Sequence, residues 1–514
     1  MENNEYTKKL MQRFKHPKFV KKLKNPNGIG EVGNINCLLP QEKIVLNGDY
    51  QEIKNTKEGD LVFSHDLKEN KIVKRFSRKH SGKIIKLKNT LGEISLTPEH
   101  LVYSIVLPNK RKFKSNKGKK ELIPAWYHCE DLKKGDIILY PINSYKQDQR
   151  FLNIDLPKSK WDFNSPNLPK RVPLEEDLLR LFGYFLAEGN IQEKPSRNFI
   201  SFSLNINEED IAKDIQKICR KLFNLEVTIR KEEKRNVLIV FIYNSQLSRI
   251  FKQLFGNGAQ NKKIPKLVMD LPIKKQESLV YGMWKGDGYI NINRTGPRAG
   301  YSTISYNLIQ QLKLLLLRQG IIPSIYEEKE KKVKGINHKK SYRIHVGQRD
   351  SLIKIANLLN INYYPKSYKS INSWIEENYL YTPITQVKRK IYSGDVFNLE
   401  VENAHSFTSE AFLVHNCGDI MHLEIDVDDK TQKIKDIGFK TFGCGAAIAS
   451  SDIVCELAKG KTIKEAKKLN KDQVVKKLGG MPPIKVHCSI LGIEALNKAI
   501  DNYKNSKKEV KNGK

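Results

Sequence analysis

The sequence predicts a multidomain protein built as one chain nested inside another. An α+β outer unit is split in two, an all-β unit inside it is also split in two, and a duplicated αββαββα unit lies at the centre. Three observations carry this. Short alternating strands begin at Cys37 and return near residue 382, a helix–strand pattern occurs twice between them, and Cys417 opens a Gly-rich stretch of different texture. At 514 residues the chain exceeds one ordinary core, and about three domains are expected.

Taken in order, residues 1–36 contain one helix, YTKKLMQRF, and then a Pro/Gly/Asn-rich stretch ending in GIGEVGNIN. From Cys37 to about residue 145, runs such as KIVLNGDYQEI, DLVFSH and EISLTPEHLVYSI are punctuated by Gly, Asp and Asn, as in a compact β unit. A polar, Pro-containing linker, 146–173, follows. Residues 174–370 hold two copies of one pattern, opened by DLLRLFGYFLAEGNI and ESLVYGMWKGDGYINI. Strand texture resumes over 382–416 and ends in FLVHN. Residues 417–514 read as a Gly-rich α/β piece, then a helix and a disordered Lys/Asn tail.

The net charge of +34 points toward nucleic acid, but its distribution weakens that reading. Residues 1–36 carry +5, residues 417–514 carry +6, and +23 is left for the middle, so the chain is Lys-rich throughout. Seven cysteines, an odd number without framework spacing, suit a reducing compartment. With no apolar leader and no run of about 18 apolar residues, a soluble cytoplasmic protein without a membrane partner is expected.

Cys417, Cys444 and Cys488 each stand among small or polar residues, as in CGDIM, FGCGAAIASSD and KVHCSILG. Three thiolates with Asp419 or His487 as a fourth ligand suit an iron–sulfur cluster or zinc. Cys455, on an apolar helix, reads as core. GEVGN, CGDIM, GCGAAIASS and PPIKVHCS, in this order, resemble the IscU/NifU family of iron–sulfur cluster assembly scaffolds. The resemblance implies that Cys417, Cys444 and Cys488 hold the cluster and accept sulfur from a cysteine desulfurase. Asp419 and His487 would serve the labile corner, and MPPIK would be gripped by a chaperone. Apo iron–sulfur proteins would receive the cluster. A zinc-binding sulfur-transfer scaffold is the alternative.

Residues 37–416 begin with Cys and end in His415-Asn416 before Cys417, the set that self-excision needs. The Cys37 sulfur can attack the preceding Asn36 carbonyl, Cys417 can accept the acyl group, and the Asn416 carboxamide can attack its own carbonyl. Thr97 and His100 of LTPEHL can address the Asn36–Cys37 bond, with His100 protonating the leaving amine, and His405 and His415 can assist at Asn416. The arrangement resembles an intein, with 37–145 and 382–416 forming its all-β Hint splicing domain and no cofactor needed. Such strands as VFNLEV often carry Asp where this chain has Asn398, a departure that bears on the timing of steps. An unspliced bifunctional fusion is the further alternative, against which stands the expectation that the insert pushes the flanks apart.

In the two repeat helices Gly183 and Ala187, like Gly282 and Gly286, are four apart, giving each helix a face of small residues. Glu188 and Asp287 follow at matched helix ends, where a carboxylate is electrostatically disfavoured and therefore functional, with Gly189 and Gly288 as C-caps. These helices resemble those of LAGLIDADG homing endonucleases. The resemblance implies Mg²⁺ held by Glu188 and Asp287, a basic catalytic residue at Lys262 with Lys263 as its rival, and double-stranded DNA as partner. The DNA target would be the uninterrupted sequence encoding GNIN-CGDIM.

Overall fold

The computed structural model describes residues 6–33, 36–46, 49–107, 123–144, 147–158, 166–194, 197–292, 296–333, 336–363, 373–416, 419–482 and 486–512. The two largest of their apolar cores are separate, one for the flanks and one for the insert.

The flank core joins the two ends of the chain across the insert. Strand Gly28–Gly33 pairs antiparallel with Ile420–Val427, from Gly28 opposite Ile425 to Gly33 opposite Ile420, and Ile420–Val427 pairs with Ile434–Phe442. The glycines of GIGEVG serve close packing. A Cβ on Gly30 would lie 2.0 Å from the Ala495 carbonyl oxygen, and one on Gly28 would lie 2.5 Å from that of Ala499. The strand thus lies directly on the helix Val486–Asn512. Helix Lys8–Lys15, capped by the Thr7 hydroxyl accepting from the Leu10 N–H at 3.2 Å, adds Leu10 to the same core. The flanks are therefore assembled with the insert in place, contrary to the expectation that it separates them. The C-terminal helix also runs through Asn512 where a disordered tail was expected. Lys, Glu and Asn there include no helix breaker, and Lys and Glu favour helix.

In the insert, β segments from both sides of the repeats interleave. The long strands Glu69–Lys88 and Gln386–Val401 pair along nearly their whole length. In a second sheet, Leu413–His415 lies between Ser406–Thr408 and Leu101–Ile105. The returning segment starts ahead of residue 382, because Trp374–Glu376 and Tyr379–Pro383 already join the sheet through Ile137–Pro141. The 146–173 connector is more ordered than a polar linker implies. Phe151–Asn153 pairs with Arg171–Pro173, and Leu152, Ile154, Leu168 and Val172 are buried in the insert core. Leu152 and Ile154 are two apart and Leu168 and Val172 four apart, so each pair shares a face, enough to anchor a short hairpin.

Each repeat is αββαββα with a four-stranded antiparallel sheet, the second carrying an added hairpin in which Lys331–Val333 pairs with Ile336–His338. Helices Glu176–Glu188 and Ile273–Asp287 cross so closely that a Cβ on Gly183 would lie 2.3 Å from the Leu279 carbonyl oxygen. One on Gly282 would lie 2.4 Å from that of Arg180. Repeats and β unit share a core, sealed by polar contacts. Lys313, fully buried, donates to Gln310 Oε1 at 2.6 Å and to the Glu410 carbonyl, with the rings of Tyr50 and Tyr140 at 4.9 and 5.3 Å. Among the described residues no helix is long and apolar enough to cross a membrane.

Candidate functional site

Three clusters emerge. At the ends of the insert, Thr97 brackets Cys37. The Cys37 N–H donates to Thr97 Oγ1 at 2.9 Å, and the Thr97 N–H donates to the Cys37 carbonyl at 2.9 Å. Next to Cys37, Leu38 is locked to Phe397 by reciprocal backbone bonds of 2.7 and 2.8 Å. The turn that follows Thr97 sends His100 inward, where it is fully buried. Among the described residues its ring nitrogens make no hydrogen bond of normal geometry, and the Cys37 and His415 backbones favour its charged form while His128 opposes it. Burial pushes the imidazole down to about 3, so it is neutral at rest. Burial pushes the Cys37 thiol up, opposed by the Arg78 guanidinium beside it.

Strand Leu413–His415 brings in the other end. The Asn416 N–H donates to the His405 carbonyl at 2.9 Å, and His405 takes a left-handed backbone, φ +49°, to make that turn. The His415 ring meets the edge of Trp126 at 4.9 Å between centroids. Asn416 is buried, and its carboxamide has no hydrogen-bond partner among the described residues, so its nitrogen is not tied to other groups. Asn398, also buried, accepts from the Leu399 N–H through its side-chain oxygen at 2.8 Å and offers no carboxylate.

In the second cluster Glu188 and Asp287 end the two crossing helices. Gly189 and Gly288 are the C-caps as expected, though both adopt extended rather than left-handed backbone. A Cβ on Gly286 would come within 3.1 Å of Glu188 Cγ, so the small-residue face sets the acids side by side. Burial, and then Asp287 and Glu208, push Glu188 up to about 7. Asp287 reaches solvent but is crowded by protein on its inner side, which raises it against the pull of Lys262. Lys262 is buried, donates to the Ala187 carbonyl at 2.8 Å, and is pushed down to about 8 by burial. Lys263 is exposed, so the structure places Lys262 at the acids and not its rival.

The third cluster is Asp419, Cys444 and Cys488, whose ligand atoms lie within 4.8 Å of one another. Cys444 Sγ is 3.7 Å from Cys488 Sγ, and Cys488 Sγ is 3.2 Å from Asp419 Oδ2. Cys444 caps the helix Gly445–Ala458, and Cys488 sits in the first turn of Val486–Asn512, so two helix N-termini face the anionic ligands. This soft donor set with one carboxylate fits a thiophilic cargo. Cys417 lies outside the described residues, as do the side chain of His487 and part of MPPIK. Cys455 is core, as expected.

Sequence reasoning missed Arg78, Trp126 and Glu208. Arg78 and Trp126 lie on ordinary strands and Glu208 at a helix N-cap, and no local signal marks them.

The NifU-like N terminal domain family matches residues 399–510, and the LAGLIDADG-like domain family matches residues 175–256 and 275–360. The first match begins inside the β unit, where residues 406–415 pair with insert strands and not with the scaffold sheet. The uncharacterized protein MJ0043 of Methanocaldococcus jannaschii is 31% identical over 76% of this chain and 51% of its own. The ATP-dependent DNA helicase Hel308 of Thermococcus kodakarensis is 27% identical over 75% of this chain and 36% of its own. The mitochondrial iron sulfur cluster assembly protein 1 of Debaryomyces hansenii is 54% identical over 18% of this chain and 52% of its own. The chain thus spans about half, or less, of the curated relatives it matches. A structure of the homing endonuclease I-DmoI in complex with DNA and Ca overlays on 37% of this chain and 93% of its own, with 13% identity and a TM-score of 0.29. This chain therefore carries a NifU-like N-terminal domain of the IscU type at its C-terminal end and a pair of LAGLIDADG-like domains in its middle.

Proposed function

We propose that residues 37–416 are an intein that excises itself and joins 1–36 to 417–514, yielding an IscU/NifU-type iron–sulfur cluster scaffold. The observation that carries this reading is the pair of 2.9 Å hydrogen bonds by which Thr97 holds Cys37, just ahead of the strand Leu101–Ile105 that pairs with Leu413–His415 through Val102 and Val414. The two ends of the insert are thereby held in one β unit, with the buried His100 between Thr97 and that strand in the chain.

The chemistry needs no cofactor. Cys37 Sγ attacks the Asn36 carbonyl carbon, the C–N bond breaks as the C–S bond forms, and the amine of Cys37 leaves with a proton. Because His100 rests neutral, it takes the thiol proton first and returns it to that amine, while Thr97 holds the bond in place. Cys417 Sγ then takes the acyl group and frees the Cys37 thiol. The Asn416 side-chain nitrogen attacks its own carbonyl, releasing the Cys417 amine and leaving a succinimide. That amine attacks the thioester, restoring a peptide bond. The His405 carbonyl holds the Asn416 backbone, and His415 stands beside the second cleavage.

The excised insert is read as a homing endonuclease for double-stranded DNA, cutting the uninterrupted sequence that encodes GNIN-CGDIM. Glu188 and Asp287 would hold Mg²⁺, which supplies charge for an activated water and a leaving oxygen. Lys262 is set to stabilise phosphate charge. In the joined scaffold, Cys417, Cys444, Cys488 and Asp419 would hold the cluster as cargo, with His487 beside them. A cysteine desulfurase, a chaperone and apo iron–sulfur proteins would be its partners. The preassembled flanks favour one second reading, an unspliced fusion working as scaffold and nuclease together.

Intact mass of the full chain under reducing conditions decides between these readings. Splicing gives a 134-residue ligated product beside a 380-residue insert, and a persistent 514-residue species supports the fusion.

A further inference from the structure

We propose that the folded flank unit is a positioning clamp for the joining step, pairing residues 1–36 with the C-terminal flank so that the acyl group is handed on before the insert leaves. This rests on the splicing reading.

The register carries the argument. Gly33 is opposite Ile420 in antiparallel strands, Asn36 lies three residues beyond Gly33, and Cys417 lies three residues before Ile420. At about 3.5 Å per residue, each junction is within roughly 10 Å of chain from that shared pair. The pairing is strongly built. Asp452, fully buried, accepts from Arg13 Nη1 at 2.6 Å and from the N–H groups of Lys18 and Phe19 at 2.6 and 2.8 Å. Asn27 and Val427 exchange two hydrogen bonds of 2.8 Å, and Glu424 accepts from the Leu23 N–H at 2.7 Å. Leu10 and Val32 pack in one core with Met421 and Leu423, apart from the insert core.

The clamp acts on one step. Thr97 and His100 belong to the insert, so thioester formation at Asn36 does not need the flank pairing, and neither does cyclisation of Asn416. Transfer does. The bond from the Asn36 carbonyl carbon to Cys37 Sγ breaks as that to Cys417 Sγ forms, and the proton of the Cys417 thiol passes to the Cys37 sulfur. Its rate scales with the effective concentration of one junction at the other. An unclamped chain would cleave at each junction without joining.

The test uses the full chain under reducing conditions, as wild type and as a Gly30→Val, Asp452→Ala double variant. Products are followed by intact mass, and hydrogen exchange reports the flank strand Ile420–Val427 and the insert strands Leu101–Ile105 and Leu413–His415. With the flank strand deprotected and the insert strands still protected, the ratio of ligated to cleaved product is expected to fall at least about tenfold. Thiol-induced cleavage at Asn36 is expected to stay within about twofold of wild type, since its groups are untouched. A wild-type ratio from a deprotected flank overturns the clamp. Neither product from the wild-type chain overturns the splicing reading itself, and the clamp with it.

Discussion

The two centres proposed for the insert differ in charge. At the ends of the insert, His100 is held neutral, the Cys37 thiol is pushed up and the Asn416 carboxamide is uncharged, which leaves the Arg78 guanidinium as the charge beside Cys37. At the helix ends, Glu188, Asp287 and Glu208 crowd together against one buried lysine. A centre whose substrate is its own backbone needs only placement, since both reacting bonds are already covalently delivered. A centre for an external polyanion must bring charge of its own and stay open to solvent, which is the state of Asp287.

The largest effect is expected from removing a reacting atom. Asn416→Ala should lower ligated product by about 10³-fold or more, leaving N-terminal cleavage as the visible reaction in a mass time course. Ligation at a wild-type rate would remove Asn416 from the chemistry. Next, Glu188→Gln or Asp287→Asn should each cost on the order of 10²–10³ in cutting a plasmid that carries the uninterrupted target, with splicing unchanged. A parallel loss of splicing would show that the two centres are not separate.

Gly282→Ala probes what they share. Its Cβ would meet the Arg180 backbone, and overpacking of this kind costs about 1–3 kcal/mol. Because repeats and β unit have a common core, one thermal transition of the insert should move down as a whole. Two transitions, only one of them shifted, would refute the shared core.

The pH profile separates the centres again. Because His100 carries the thiol's own proton to the amine, the productive state pairs neutral imidazole with protonated thiol. That state fills the window between the lowered His100 and the raised Cys37, so the shift at Asn36 should be nearly flat from about pH 5 to 8, with the external thiolate held constant. An inflection near 6.5 would contradict the burial of His100. Smallest of all, Asn398→Asp should change the first step by less than about tenfold, because the side chain touches the Leu399 backbone and not the Cys37 bond. The readout is the ratio of the two cleavage rates.

Legibility followed the range of the interaction. Gly183, Gly282 and the acids that follow were readable because helix periodicity places them on one face within a few residues. The alternating strands were readable from period two. Lys262 and Lys263 are adjacent and chemically alike, and only burial against the Ala187 carbonyl tells them apart. The connector looked polar because its four buried apolar residues are spread over a long stretch.

By itself the sequence determined the covalent facts: which thiols and amides flank each junction, where the duplicated helices end, and which cysteines sit among small residues. Tertiary structure decided the rest. It paired Val414 with Val102 more than three hundred residues away, set Arg78 beside Cys37, and closed Gly28–Gly33 onto Ile420–Val427 across the insert. Such pairings depend on burial and strand register over the whole chain, and no local pattern encodes which distant segments will meet.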